Sequence, residues 1–122
     1  MVRCGTDIIE ISRIKKAIET NEKFLNRIYT DSEILYSESK KSQKYESYAA
    51  RFAAKEAVYK LISSNIQFVD GLWKKIEILN EKSGKPYVKI DMEIPGLKYI
   101  DISLSHSKEY AVAMVVAEFE EV

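Results

Sequence analysis

The sequence predicts an α+β fold: an antiparallel sheet packed against a long central helix and several shorter helices. Three observations carry this. Glu46 to Ile62 is free of proline, rich in alanine and apolar around most of its circumference, as a buried helix requires. Two pairs of β-prone runs each flank a turn: Ile76–Leu79 with Tyr87–Ile90 around Lys82–Pro86, and Tyr99–Ser105 with Tyr110–Glu118 around His106–Glu109. Val2 to Ile11 adds β-branched residues around a single aspartate. Hairpins kept apart from the helices, rather than strands alternating with them, give α+β.

The remaining elements follow from local chemistry. Ser12 is placed to cap a short helix in which Ile14, Ala17 and Ile18 share one face and Arg13 and Lys16 another. Thr30-Asp31-Ser32-Glu33 has the hydroxyl-plus-acid spacing of a capping box and starts a further helix. Tyr110 to Ala117 is apolar on both parities, so it is a central strand or one covered by another subunit. With 122 residues and no repeat or linker, residues 1–122 form a single domain. A chain of this size buries roughly two-thirds of its unfolded surface and needs no staples.

Composition narrows the function. Basic and acidic residues balance at 19 each, which argues against a general nucleic-acid binder. The basic residues crowd the first third (Arg13, Lys15, Lys16, Lys23, Lys40, Lys41, Lys44), a distribution suited to an acidic protein partner. The single cysteine, Cys4, excludes an intrachain disulfide and suits a reducing compartment. No apolar signal core precedes Asp7, and the longest apolar run is too short to span a bilayer. A cytoplasmic protein without a membrane or nucleic-acid partner is expected.

Several residues could carry chemistry, and each has an ordinary structural reading beside it. Glu56 shares its helix stripe with Ala49, Phe52, Ala53 and Tyr59, where a carboxylate is costly unless it is paired or bound to a cation. An i,i+4 pair with Lys60 is the ordinary solution. Asp7 interrupts an apolar strand, where a turn or cap role is ordinary too. If the two acids met at ~5 Å they would repel by about 3 kcal/mol at an effective dielectric of 20, which a divalent ion removes. His106, the only histidine, lies in a donor-rich run, Ser105-His106-Ser107-Lys108, that could hold a phosphate or form a simple hairpin tip. Gly84-Lys85-Pro86 is first a turn and second a place where Lys85 could meet an anion. Cys4 has no activating neighbour in the sequence and is discounted as a nucleophile.

Together these segments resemble the holo-acyl-carrier-protein synthase family of 4′-phosphopantetheinyl transferases. The matching stretches are Gly5–Ile11 with Arg13, Arg51–Ala57 with Lys60, Gly84–Tyr87 and Ser103–Ala111. The resemblance implies the fold of that family and transfer of 4′-phosphopantetheine from coenzyme A to a serine of apo-acyl carrier protein, releasing adenosine 3′,5′-bisphosphate. It implies Mg²⁺ held by Asp7 and Glu56, with Glu56 or a metal-bound water as base and Lys60 neutralising phosphoryl charge. Arg51, Lys55, Lys60, Lys85, Ser105, His106 and Ser107 are implied to contact coenzyme A, with His106 near the 3′-phosphate. Arg13 is implied to dock the acidic carrier, with Lys16 and Lys23 widening that patch. Relatives of this length are homotrimers with active sites between subunits. Two positions depart from the pattern: the family's Gly-Thr-Gly-Ile turn is Ser63-Ser64-Asn65-Ile66, where Asn65 is the residue best able to take a left-handed conformation, and a basic position after the first helix is Thr20. The alternatives are a non-catalytic carrier- or nucleotide-binding module and a metal-dependent phosphohydrolase, the latter short of ligands.

Overall fold

The computed structural model describes residues 1–121. In chain order the elements are β1 (Val2–Glu10), α1 (Ile11–Thr20), α2 (Phe24–Ile28), α3 (Asp31–Glu38), α4 (Lys44–Ile62), α5 (Leu72–Lys75), β2 (Ile76–Asn80), β3 (Pro86–Ile90), β4 (Leu97–His106) and β5 (Tyr110–Phe119). The expected hairpins form, but the strands divide into two antiparallel sheets: a three-stranded one in the order β1-β5-β4, and the β2-β3 hairpin. Strand β3 packs beside β4 without sharing a ladder with it. No helix among the described residues is long and apolar enough to cross a membrane.

Side-chain alternation gives the larger sheet two unlike faces. On one, Ala111, Ala113, Val115, Ala117 and Phe119 of β5 are buried together with Ile9 and Ile102. Helix α4 covers this face with Ala49, Ala53, Ala54, Ala57, Val58 and Leu61, side chains small enough to bring helix and strands close. The approach is tightest at Gly5, where an added Cβ would lie 2.9 Å from the Ala57 carbonyl oxygen. On the other face Val2, Ile8, Tyr99 and Met114 remain exposed, Ile8 at 61% and Met114 at 56%. Strand β5 is thus central within its sheet, yet its second face is left uncovered by its own chain.

Helix starts differ in how they satisfy their amides. Thr30 caps α3 in a full capping box, its hydroxyl accepting from the Glu33 amide while the Glu33 carboxylate accepts from the Thr30 amide. Ser12 does not cap α1. The helix begins two residues earlier, directly off β1 with Glu10 in the capping position, and the Ile11 amide is satisfied by the Glu109 carbonyl at 2.9 Å. Helix α4 starts at Lys44, two residues ahead of the expected Glu46.

The contact at Gly5 supports a direct prediction. Gly5→Ala places a methyl group against a backbone oxygen that cannot rotate away, so α4 and β1 must separate. We expect a loss of about 1–3 kcal/mol of unfolding free energy, read from denaturant midpoints of the variant and native proteins.

Candidate active site

Asp7 lies two residues beyond Gly5 on the α4-facing side of β1, paired in register with Ala113. Glu56 reaches the same edge from α4. The Lys60 ammonium donates to the Thr6 carbonyl at 2.9 Å and pairs with Asp7 Oδ1 at 3.2 Å. The ion pair that forms therefore joins Lys60 to the strand, not to Glu56 one turn back. Burial pushes the Glu56 carboxyl above its ordinary range; the Asp7 charge pushes it further, and Lys60 opposes both. Two carboxylates facing one ammonium leave a negative site in a half-buried setting. No group of three or more His, Cys, Asp or Glu side chains able to hold a metal occurs among the described residues. The pair fits Mg²⁺ as that ion is usually held, with one or two carboxylates and the rest of the shell from water and substrate phosphates.

A second cluster surrounds a cleft of about 290 Å³ lined by Arg51, His106, Lys40, Tyr36, Asn80 and Gly84, among others. Arg51 is buried, stacks its guanidinium 4.1 Å above the Tyr36 ring, and donates to Ser47 and to the Asn80 side chain. Its Nε is buried without a protein partner among the described residues, a cost that an acceptor in the cleft would relieve. Burial pushes the Arg51 guanidinium below its usual range, with Glu33 the main opposing charge. Gly84 reaches the cleft through a turn at φ 95° that few other residues would adopt. Three cationic or proton-bearing groups (Arg51, Lys40, His106) around one concavity suit a phosphate monoester.

These two clusters lie on opposite flanks of α4. Arg51 and Glu56 are five residues apart, about 140° around the helix, and Lys60 is about 180° from Arg51. Beneath them Asp7 is on β1 and His106 on β4, the two outer strands, with β5 between. One chain thus carries an acidic half-site and a cationic half-site facing away from each other.

Two expected site residues, Lys55 and Ser105, are placed elsewhere. Lys55 is 1% exposed, and its ammonium is used up internally, by Glu33 Oε1 at 2.8 Å and the Trp73 and Ile76 carbonyls at 2.7 and 2.6 Å. It is a core residue, not a phosphate ligand. Lys85, between the cleft-lining Gly84 and Pro86, pairs with Asp101 at 2.9 Å and, 53% exposed like Lys60, can exchange that partner for an anion. Ser105 alternates away from His106 onto the open face of the sheet, because β4 extends through His106 and both residues are in the strand. Ser107 stays near His106, in a shallow cleft with Gln43, Glu46 and Lys108, and its hydroxyl accepts from the Tyr110 amide. Arg13, Lys16 and Lys23 are exposed. Lys23 precedes Phe24, whose ring stacks on Phe52, one turn before Glu56.

Lys40, Tyr36 and Asn80 are site residues that the sequence does not single out. Tyr36 and Lys40 come from α3 and the turn directly after it and Asn80 from the end of β2, and Lys40 is held beside Lys41, the one described non-glycine residue with positive φ, at 56°. A positive φ at lysine leaves no mark in composition or periodicity.

Residues 3–115 match the model of the 4′-phosphopantetheinyl transferase superfamily. The chain belongs to that superfamily. Two similar curated proteins are holo-(acyl-carrier-protein) synthases: one from Ruminiclostridium cellulolyticum, 48% identical and covering 92% of this chain and 88% of its own length, and one from Chloroherpeton thalassium, 48% identical and covering 96% and 98%. A holo-(acyl-carrier-protein) synthase from Bacillus anthracis, solved in complex with CoA (3′,5′-ADP), superposes with a TM-score of 0.78 at 38% identity over 96% of both chains. The ACPS-CoA complex from Chronobacterium ammoniagenes has the same fold, with a TM-score of 0.85 at 20% identity over 99% of both chains. The chain is thus a phosphopantetheinyl transferase of the holo-acyl-carrier-protein synthase type, with the expected α+β fold.

The transferase turn after α4 is built differently from the left-handed turn expected at Asn65. Ser63–Asn65 form a 3₁₀ turn with negative φ, and Asn65 acts through its side chain. Its Oδ1 accepts from Arg3 at 2.6 Å, and its Nδ2 donates to the Pro95 carbonyl at 2.9 Å. Side-chain bonds here replace glycine's backbone freedom.

The electrostatics of Glu56 yield a stability test. Its carboxyl is raised above the unfolded value, so its contribution is fully present below the unfolded pKa and is lost as pH rises through the folded one. As pH rises above the unfolded value the native protein therefore loses stability that a glutamine at this position, which never carries charge, keeps. In metal-free buffer Glu56→Gln should therefore raise Tm at pH 7, with the difference fading below about pH 4. A thermal melt series from pH 4 to 8 checks this.

Proposed function

We propose that this protein transfers 4′-phosphopantetheine from coenzyme A to a serine hydroxyl of an apo-acyl carrier protein, releasing adenosine 3′,5′-bisphosphate. The observation carrying this reading is the meeting of Asp7 and Glu56 from separate elements beside Lys60, with a phosphate-sized cationic cleft on the same chain. Asp7 and Glu56 would hold Mg²⁺, which when bound neutralises the pyrophosphate oxygens under attack. Lys60 is flexible and 53% exposed, so its ammonium can leave Asp7 for a phosphoryl oxygen whose charge grows during transfer. Glu56, whose carboxyl is held above its ordinary range by burial and by the Asp7 charge, is the candidate base for the serine proton. Arg51 and His106 bind the 3′-phosphate, aided by Lys40. Ser107 lines the adjoining surface. Arg13, Lys16 and Lys23 form the basic surface that takes the acidic carrier, next to the Phe24–Phe52 stack.

Because the two half-sites face away from each other across α4, a single coenzyme A is best served by halves from two chains. The exposed apolar face at Val2, Ile8, Tyr99 and Met114 supplies a contact surface for that assembly. We therefore propose a homotrimer with active sites between subunits. The neutral charge balance and single exposed cysteine suit the cytoplasm.

Incubation with coenzyme A, Mg²⁺ and apo-carrier should add the mass of the phosphopantetheine arm to the carrier. An unmodified carrier, in a sample that a known transferase modifies, would sink the reading. Asp7→Asn and Glu56→Gln should each lower kcat/KM by at least about 10²-fold while keeping the fold, and chelation should abolish turnover until Mg²⁺ is restored.

Assembly between subunits has its own signature. Asp7→Asn and His106→Ala proteins, each impaired alone, should regain activity when unfolded and refolded together, because some interfaces then pair an intact acidic half with an intact cationic half. Additive, unrestored rates in the mixture would place both halves in one chain.

A further inference from the structure

We infer that Lys55, through its buried pair with Glu33, is a positioning residue: it fixes the rotation of α4 and thereby aims Glu56 at Asp7. The inference rests on the transferase reading above and assigns a role to the motif lysine that contacts no substrate. The argument starts from the face α4 presents to the sheet. Ala49, Ala53, Ala54 and Ala57 are wholly buried there, and apart from Val58 and Leu61 toward its C-terminal end the face is a run of methyl groups with few ridges to interlock. Such a face allows close approach but is poor at selecting one rotation about the helix axis. Lys55 supplies the missing key. Its ammonium has three hydrogens and three fixed acceptors, Glu33 Oε1 and the carbonyls of Trp73 and Ile76. Two of these acceptors are backbone atoms that cannot follow a rotating helix.

Glu33 is equally constrained. Its Oε1 also accepts from the Thr30 amide at 2.9 Å, and its Oε2 from the Ile78 amide at 2.9 Å, so the carboxylate is tied to α3 and β2 at once. A buried ion pair with every donor and acceptor used contributes little net stability compared with apolar side chains of the same size. Its better use is to exclude alternative arrangements, and here the arrangement excluded is a turned α4. Lys55 and Glu56 are neighbours, about 100° apart around the helix. Whatever angle Lys55 is held at is passed to Glu56 through rigid backbone, and to Arg51 one turn earlier.

The test separates positioning from stability. The double variant Glu33→Leu/Lys55→Met removes both charges together and should melt lower, because the Thr30 and Ile78 amides and the Trp73 and Ile76 carbonyls lose their side-chain partners. Binding and turnover are therefore compared well below its melting range. Binding of Mn²⁺ to the metal-free protein, followed by the EPR signal of free Mn²⁺, should weaken at least tenfold, and kcat for carrier modification should fall by a similar factor. A folded double variant with Mn²⁺ affinity and kcat within twofold of native overturns the inference. If that variant does not fold, Glu33→Gln keeps an oxygen opposite Lys55 and removes the charge, with an amide NH2 in place of the acceptor that the Ile78 amide uses. Severalfold weaker Mn²⁺ binding in the folded protein supports the inference, and unchanged binding and kcat overturn it. A native protein that neither binds Mn²⁺ nor modifies a carrier overturns the transferase reading itself, and this inference with it.

Discussion

The structure depends on how closely α4 lies against β1 and β5. That distance is set by alanine on the helix and glycine on the strand, with Gly5 and the Ala57 carbonyl at the limit of contact. Bring a larger residue to either surface and the helix moves outward, carrying Glu56 from Asp7 and Lys60 from the Thr6 carbonyl. Close packing of this kind usually appears as a stability feature. Here the same contact puts two like charges side by side, an arrangement that burial alone would resist.

The cost of that juxtaposition is distributed over the molecule. Lys60 offsets part of it at the site, and the remainder appears as the raised Glu56 carboxyl. The Glu33–Lys55 pair on the adjacent flank is complete and internal, and its interior setting still pushes the lysine below its usual range. Adjacent residues on one helix therefore have opposite electrostatic histories: one charge is fully matched by the fold, and its neighbour is left for a ligand. That contrast distinguishes structural from functional charge here better than exposure does.

Much of the architecture is legible in the residues themselves. The hairpins follow from alternating runs around turn-forming sequences, α4 from its alanine content, and α3 from the spacing of Thr30 and Glu33. The short helices α2 and α5, five and four residues long, escape notice because so few turns carry no periodic signal. Asp7 and Glu56 are identifiable as awkward charges, yet their meeting depends on a strand and a helix far apart in the chain. Lys55 is misplaced by the motif for a related reason. In an alanine-rich helix nothing local says which of two adjacent charges points inward; Glu33 decides it from α3. The parity of Ser105 likewise depends on β4 continuing through His106, which register decides and composition does not.

The helix also acts as a protractor. Arg51 and Glu56 are carried by one uninterrupted stretch of backbone, so the angle between the two flanks is a count of residues and owes nothing to side-chain choice. Replacing an amino acid between them changes packing or charge and leaves that angle alone. Inserting or deleting a single residue turns one flank by about 100° relative to the other. The length of this segment is therefore frozen by the two flanks it separates, independently of the packing that fixes its alanines.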